Sequence, residues 1–195
     1  MDSILNLHSK PASAVDVLRS PDATLTLQVL GIVGFALLTA AGSQVRLYVW
    51  EVPFTLQTLA VYGSGLFLGW RSGLLAQLLY LSIGLFLPVF AGPEFGITFL
   101  LTGVTVGYLI GFPLAAMVAG FVSKTWNGSI GSFLSLLSGS VVLFTVGVTW
   151  LHYAAGHSSW FHSIDIGWLR FVGVDLAKIL LVSMIYTGTR RFTRK

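Results

Sequence analysis

The residues with the most chemical reach in this 195-residue chain are Asp175 and Lys178, in the run Asp175-Leu-Ala-Lys178 of an apolar C-terminal segment. Three positions apart on a helix, a carboxylate and an ammonium share a face and can meet. Counted inward from Trp168 at about 1.5 Å per residue, they fall roughly 10 to 15 Å along that helix, within hydrocarbon if it crosses a bilayer. An ionisable side chain there is costly unless paired or hydrated, so the two either fix helix packing as an ion pair or line a polar cavity. The cavity reading carries more weight, because apolar packing could replace a structural pair at little loss.

A second group lies in Glu51-Val-Pro53-Phe-Thr55-Leu-Gln57-Thr58. Pro53 suits a helix start, and Thr55, Gln57 and Thr58 place neutral hydrogen-bonding groups at a membrane edge, either to line a pocket or to cap and cross-link helices. Tyr80, Glu94 and Tyr108 are further candidates for the same mouth, although each tyrosine would serve equally as an interfacial anchor. His152, His157 and His162 suggest a metal cluster, but a spacing of five suits neither one helical face nor a strand, and no metal is expected. No catalytic residue or cofactor is expected either. The chain has no cysteine, no H-E-x-x-H and no Ser/His pair in facing spans; none of its lysines follows a glycine as a nucleotide-binding loop requires.

What must position these residues follows from composition. The chain is 55% hydrophobic and 9% charged, with a mean hydropathy of +0.85, too apolar for a soluble domain of this length. It reads as an all-α integral membrane protein of about six transmembrane helices. The expected spans are 25–42, 55–70, 74–90, 97–122, 130–153 and 168–187, with a tight connection at Arg71-Ser72-Gly73 and a plausible interruption among Gly103, Gly107, Gly111 and Pro113. Residues 1–23 read as a cytosolic N-terminal tail, 24–189 as the transmembrane substrate-binding domain and 190–195 as a basic cytosolic tail. Lys10, Arg19, Arg71, Lys124, Arg190, Arg191, Arg194 and Lys195 fall on one side and Arg46 and Arg170 on the other, which places both termini in the cytoplasm of a multi-pass cell-membrane protein. The net charge of +4 has this topological explanation and calls for no nucleic acid; membrane lipid is the expected surrounding. In the first span, Ala36-Leu-Leu-Thr-Ala40 is a small-xxx-small pattern that permits close helix approach.

Together these residues resemble the BioY family, the biotin-specific S components of energy-coupling factor transporters. The resemblance covers about 30–186 and rests on Val52-Pro-Phe-Thr-Leu-Gln-Thr-Leu-Ala60, Gly69 with Arg71, Tyr80-Leu-Ser-Ile-Gly84, Pro88-Val-Phe-Ala-Gly92, Gly103-Val-Thr-Val-Gly-Tyr108 and Asp175-Leu-Ala-Lys178, in that order. It departs from the family where Val104 and Val106 replace a proline and a glycine, and where Pro93-Glu94-Phe95 replaces a glycine-rich loop. The resemblance implies an S-component-like bundle that binds biotin through Asp175 and Lys178, with Phe90, Phe95 and Tyr108 adding apolar burial. It further implies docking of Ala36 and Ala40 on a transmembrane coupling subunit served by two ATPase subunits. The alternatives are an S component for another small vitamin or heterocycle, a small intramembrane enzyme using the outer-loop histidines, and a packing partner that binds no solute.

Overall fold

The apolar runs form helices in the computed structural model, which describes residues 13–20, 23–48, 52–126 and 128–193. Lys10, Glu51, Arg194 and Lys195, named above, lie outside the described residues. In chain order the elements are α1 (Ala14–Arg19), α2 (Leu25–Gln44), the short strands β1 (Arg46–Leu47) and β2 (Phe54–Thr55), α3 (Gln57–Ile83) and α4 (Gly96–Thr102). There follow α5 (Val106–Thr125), α6 (Ser129–Ala154), α7 (Trp160–Gly167), a 3-10 turn (Leu169–Phe171) and α8 (Val172–Phe192). Among the described residues α2, α3, α5 and α6 are long and apolar enough to cross a membrane. α8 is as long as α2 but carries Asp175, Lys178, Arg190 and Arg191.

α3 is two helices in one. At Gly69 the backbone takes φ 78° and ψ 178°, and the chain doubles back there. Gly73 then packs on the backbone of Ser64 and Gly65, and Gln77 Nε2 donates to Ser64 Oγ at 3.1 Å. The two arms are the second and third expected spans. With α2, α5, α6 and α8 they make six long helical segments, while the reversal lies at Gly69 rather than at Arg71–Gly73. The second arm stops at Ile83, short of the expected 90, because Gly84 caps it and the chain turns through Phe90. The expected fourth span is interrupted, as a short α4 and a long α5 separated by an extended Gly103.

Each long helix buries one face against its neighbours. α2 turns Ala36, Thr39 and Ser43 inward, and Thr39 Oγ1 donates to Gln77 Oε1 at 3.2 Å on the second arm of α3. Ala36 therefore has no exposed surface and Ala40 is half-buried. The close approach that their size permits is made inside the chain at Ala36, while Leu37, Leu38 and Ala41 face outward. The antiparallel β1–β2 hairpin, with Arg46 opposite Thr55 and Leu47 opposite Phe54, lies beyond the end of α2 and delivers the start of α3 to the bundle.

α1 is more than the end of a loose tail. Ser13 caps it through a reciprocal pair of bonds with Asp16, Val15 enters the core, and Arg19 reaches under the Gly69 turn. The Arg19 guanidinium donates to Leu66 O at 2.8 Å, Tyr186 Oη at 2.6 Å and Ser123 Oγ at 2.8 Å. The turn of α3 and the C-terminal ends of α5 and α8 thus meet at one end of the bundle, with Arg71, Lys124, Arg190 and Arg191 near them. The hairpin and α7 lie at the other.

Candidate functional site

At that other end a cavity opens among β2, α3, α5, α6 and α8. The room it encloses is about 70 Å³, within about 690 Å³ of atom-free space once its open mouth is counted. Two helices present it with regular stripes: Phe171, Val174, Asp175 and Lys178 from the start of α8, and Thr105, Tyr108, Leu109 and Phe112 from the start of α5. Both follow the i, i+3, i+4, i+7 spacing of one helical face. α6 adds Leu143 and Phe144, and the entry to α3 adds Thr55, Gln57 and Thr58. Phe90, Ala91 and Phe99 close the side beneath α4.

The polar groups on this apolar wall are held individually. Asp175, only 6% exposed, accepts from Tyr62 Oη at 2.7 Å on one carboxylate oxygen and from Ser140 Oγ at 2.5 Å on the other. Such charge-assisted bonds offset the cost of placing a carboxylate in apolar surroundings. Lys178 Nζ donates to Thr55 O at 2.6 Å and to Thr58 Oγ1 at 3.0 Å. The two charges do not form an ion pair with each other: the ion pairs among the described residues are Arg170–Asp165 and Arg190–Asp16. Trp168 to Phe171 form a cap and a 3-10 turn, so Asp175 lies in the first turn of α8, where the helix dipole favours a carboxylate.

Of the other residues expected at the site, Thr55, Gln57, Phe90 and Tyr108 reach the cavity wall. Gln57 is bound on both sides, accepting from Thr55 Oγ1 at 2.9 Å and donating to Tyr80 Oη at 2.7 Å. Tyr80 itself is fully buried behind the wall, its hydroxyl donating to Val89 O at 3.1 Å while its ring meets Phe90 edge-on at 5.6 Å. Glu94 and Phe95 lie outside the cavity and line an adjoining, more open one of about 640 Å³, just before Gly96, which has φ 83°. Pro53, Ala91, Phe99 and Thr105 are common to both cavities.

Residues missed in the sequence include Phe171 and Val174, recoverable by extending the Asp175–Lys178 stripe backward, and Phe112, recoverable by extending forward from Tyr108. Leu143 and Phe144 carry no such signal, since the exposed Val141 beside them is equally apolar. Phe144 stacks on Trp168 at 5.7 Å and meets Tyr108 at 6.2 Å, giving the wall a flat aromatic side. The histidines lie beyond this wall. His152 and His157 each place Nδ1 2.9 Å from Ser163 Oγ, tying α6 to α7. Chemically, the cavity offers an acceptor carboxylate, a donor ammonium and an aromatic enclosure, which suits a small, partly flat solute bearing N–H donors together with a carbonyl or an anionic group.

A family model described as BioY family matches residues 13–195. A protein named probable biotin transporter BioY from Lysinibacillus sphaericus is 36% identical over 173 residues, 83% of this chain and 87% of that one. Another of the same name from Pyrococcus horikoshii is 37% identical over 145 residues, covering 74% of this chain and 84% of the relative. The crystal structure of the S-component for biotin from an ECF-type ABC transporter superposes with a TM-score of 0.75 at 20% identity, covering 88% of this chain and 99% of that one. That likeness is one of fold.

Proposed function

The chain belongs to the BioY family, and from that premise we propose that it captures biotin in the cavity between α3, α5, α6 and α8, as the membrane subunit of a biotin uptake system. It is a multi-pass membrane protein and a transport subunit rather than an enzyme. The observation that carries the reading is the pair of separately held charges on an aromatic wall. Biotin offers ureido N–H groups that a carboxylate accepts, a carbonyl and a valerate carboxylate that an ammonium serves, and a flat bicyclic body that aromatic rings cover.

The chain carries no nucleotide-binding loop of its own. We therefore assign the energy for release to an energy-coupling factor module, with a transmembrane coupling subunit and two ATPase subunits. The basic end of the bundle, with Arg71, Lys124, Arg190 and Arg191, faces the cytoplasm in this reading, and the cavity opens outward across the cell membrane.

Equilibrium binding of labelled biotin to the detergent-purified chain tests the proposal. Lys178→Ala removes the ammonium, and the expected loss is about 10- to 100-fold, the range for a hydrogen bond made by a charged group. Unchanged affinity would remove Lys178 from the site. Failure of the unaltered chain to bind, or stronger competition by another vitamin, would remove biotin.

A further inference from the structure

Asp175 and Lys178 are close enough in sequence to neutralise each other, yet they do not. Left to themselves, a carboxylate and an ammonium three residues apart on an apolar helix would be expected to close on one another, since each is the other's nearest partner of opposite charge. The structure shows what competes. Tyr62, with no exposed surface, comes from the first arm of α3 and spends its only hydroxyl proton on one oxygen of Asp175. Ser140, 4% exposed, comes from α6 and spends its proton on the other. Neither residue reaches the cavity wall. With a donor on each oxygen, rotation of the carboxylate toward Lys178 would break a buried hydrogen bond and strand a hydroxyl. Each oxygen accepts a second bond, and that remaining capacity serves the cavity Asp175 lines.

We propose that Tyr62 and Ser140 are positioning residues for ligand capture: they hold the Asp175 carboxylate apart from Lys178 and aimed into the cavity, so that a solute rather than the neighbouring ammonium takes its free acceptor sites. The inference rests on the binding reading above and deepens it. Tyr62→Phe or Ser140→Ala frees one carboxylate oxygen, the carboxylate turns to Lys178, and both charges are withdrawn from the solute at once. Two hydroxyls from different helices converging on the separate oxygens of one side chain is what distinguishes this arrangement from ordinary core filling.

The test is a mutant cycle in the full purified chain, read by biotin binding. Tyr62→Phe and Ser140→Ala are each expected to weaken biotin about tenfold, the effect of losing one charge-assisted hydrogen bond. Ser140→Thr, which keeps the hydroxyl, should restore most of the affinity. Ser135→Ala is the control, since Ser135 is equally buried on α6 but bonds only the Gly131 carbonyl of its own helix. The decisive arm repeats Tyr62→Phe and Ser140→Ala on an Asp175→Ala background, where a positioning role predicts no further loss. A loss that persists undiminished there, or one no greater than that of Ser135→Ala, overturns the proposal. Should Tyr62→Phe fail to fold, the Ala and Thr variants of Ser140 decide alone. If the unaltered chain does not bind biotin, the binding reading fails. If it binds and Asp175→Ala weakens it while Tyr62→Phe and Ser140→Ala do not, only the positioning role fails.

Discussion

Tyr108 can stand on the cavity wall because a side chain is missing opposite it. A Cβ on Gly147 of α6 would collide with the Tyr108 ring, and the hydroxyl beyond that ring donates to Gly167 O at 2.8 Å, fastening α5 to the end of α7. Gly147→Ala must displace the ring into the cavity or part the helices, and overpacking of this kind costs about 1–3 kcal/mol. We expect it to lower the melting temperature and to weaken biotin binding at least about tenfold, since displaced atoms occupy the space a ligand needs. Tyr108→Phe keeps the ring and loses only the bond to Gly167, so it should cost stability by about 1 kcal/mol and change affinity much less. Calorimetry of both variants separates the two; equal affinity losses would sink the distinction. Tyr108 was legible as a candidate from its type and place, whereas Gly147 was one of 22 glycines with nothing in the sequence to mark its role. The same limit applies to Tyr62 and Ser140. Asp175 and Lys178 stand out because charge is rare in apolar segments, but the neutral hydroxyls that separate them look like any others.

At the level of elements, hydropathy located what its physics can see. The bounds of α2, α5 and α6 fall within a few residues of the expected spans where these begin and end in polar turns, except that α4 and the Gly103 break divide the fourth. It saw less where backbone geometry decides. The reversal between the arms of α3 lies at Gly69, whose φ of 78° and ψ of 178° are essentially confined to glycine, while composition drew the eye to Arg71 two residues on. α7 and the 3-10 turn were read as loop and as helix start, so α8 begins at Val172 rather than at Trp168. Glycine substitutions test this account by their opposite signs. Gly69→Ala forces a Cβ into that region at a cost of about 1–3 kcal/mol and should open the hairpin that sets Tyr62 against Asp175. Gly34→Ala, in mid-α2 with nothing within 4 Å of the added carbon, should be neutral or stabilising by about 0.5–1 kcal/mol. Thermal melts in detergent would show the contrast, and a Gly69→Ala protein as stable as the Gly34→Ala protein would contradict it.

Across the whole molecule, the solute end and the basic end are held by different means. The cavity end is assembled from stripes on helices that need each other, and the basic end is gathered by one short helix that precedes the first span. Arg19 ties α3, α5 and α8 to α1, while the Arg190 guanidinium donates to Asp16 at 2.8 Å and Ala14 N–H to Thr193 Oγ1 at 3.2 Å. Nothing in hydropathy distinguishes Arg19 from a solvated charge, so the contacts of this clamp were not legible in the sequence. Its strength should depend on pH. Partial burial raises the Asp16 carboxyl, but the hydrogen bonds from Ser13 and the charge of Arg190 outweigh it and leave the group below its ordinary value of 3.8. A carboxylate depressed in the folded state adds stability that is fully present above its unfolded value and is lost as pH falls through the lower folded one. Asp16→Asn cannot make that contribution at any pH. The difference in melting temperature between the unaltered chain and Asp16→Asn should therefore be constant from neutral pH down to roughly pH 5, and should shrink as pH falls below the ordinary carboxyl value. Arg19→Ala should lower the melting temperature further and at every pH, because its partners are backbone carbonyls and hydroxyls rather than a carboxylate. A difference for Asp16→Asn that grows on acidification would show that the clamp is not held by an ionised Asp16.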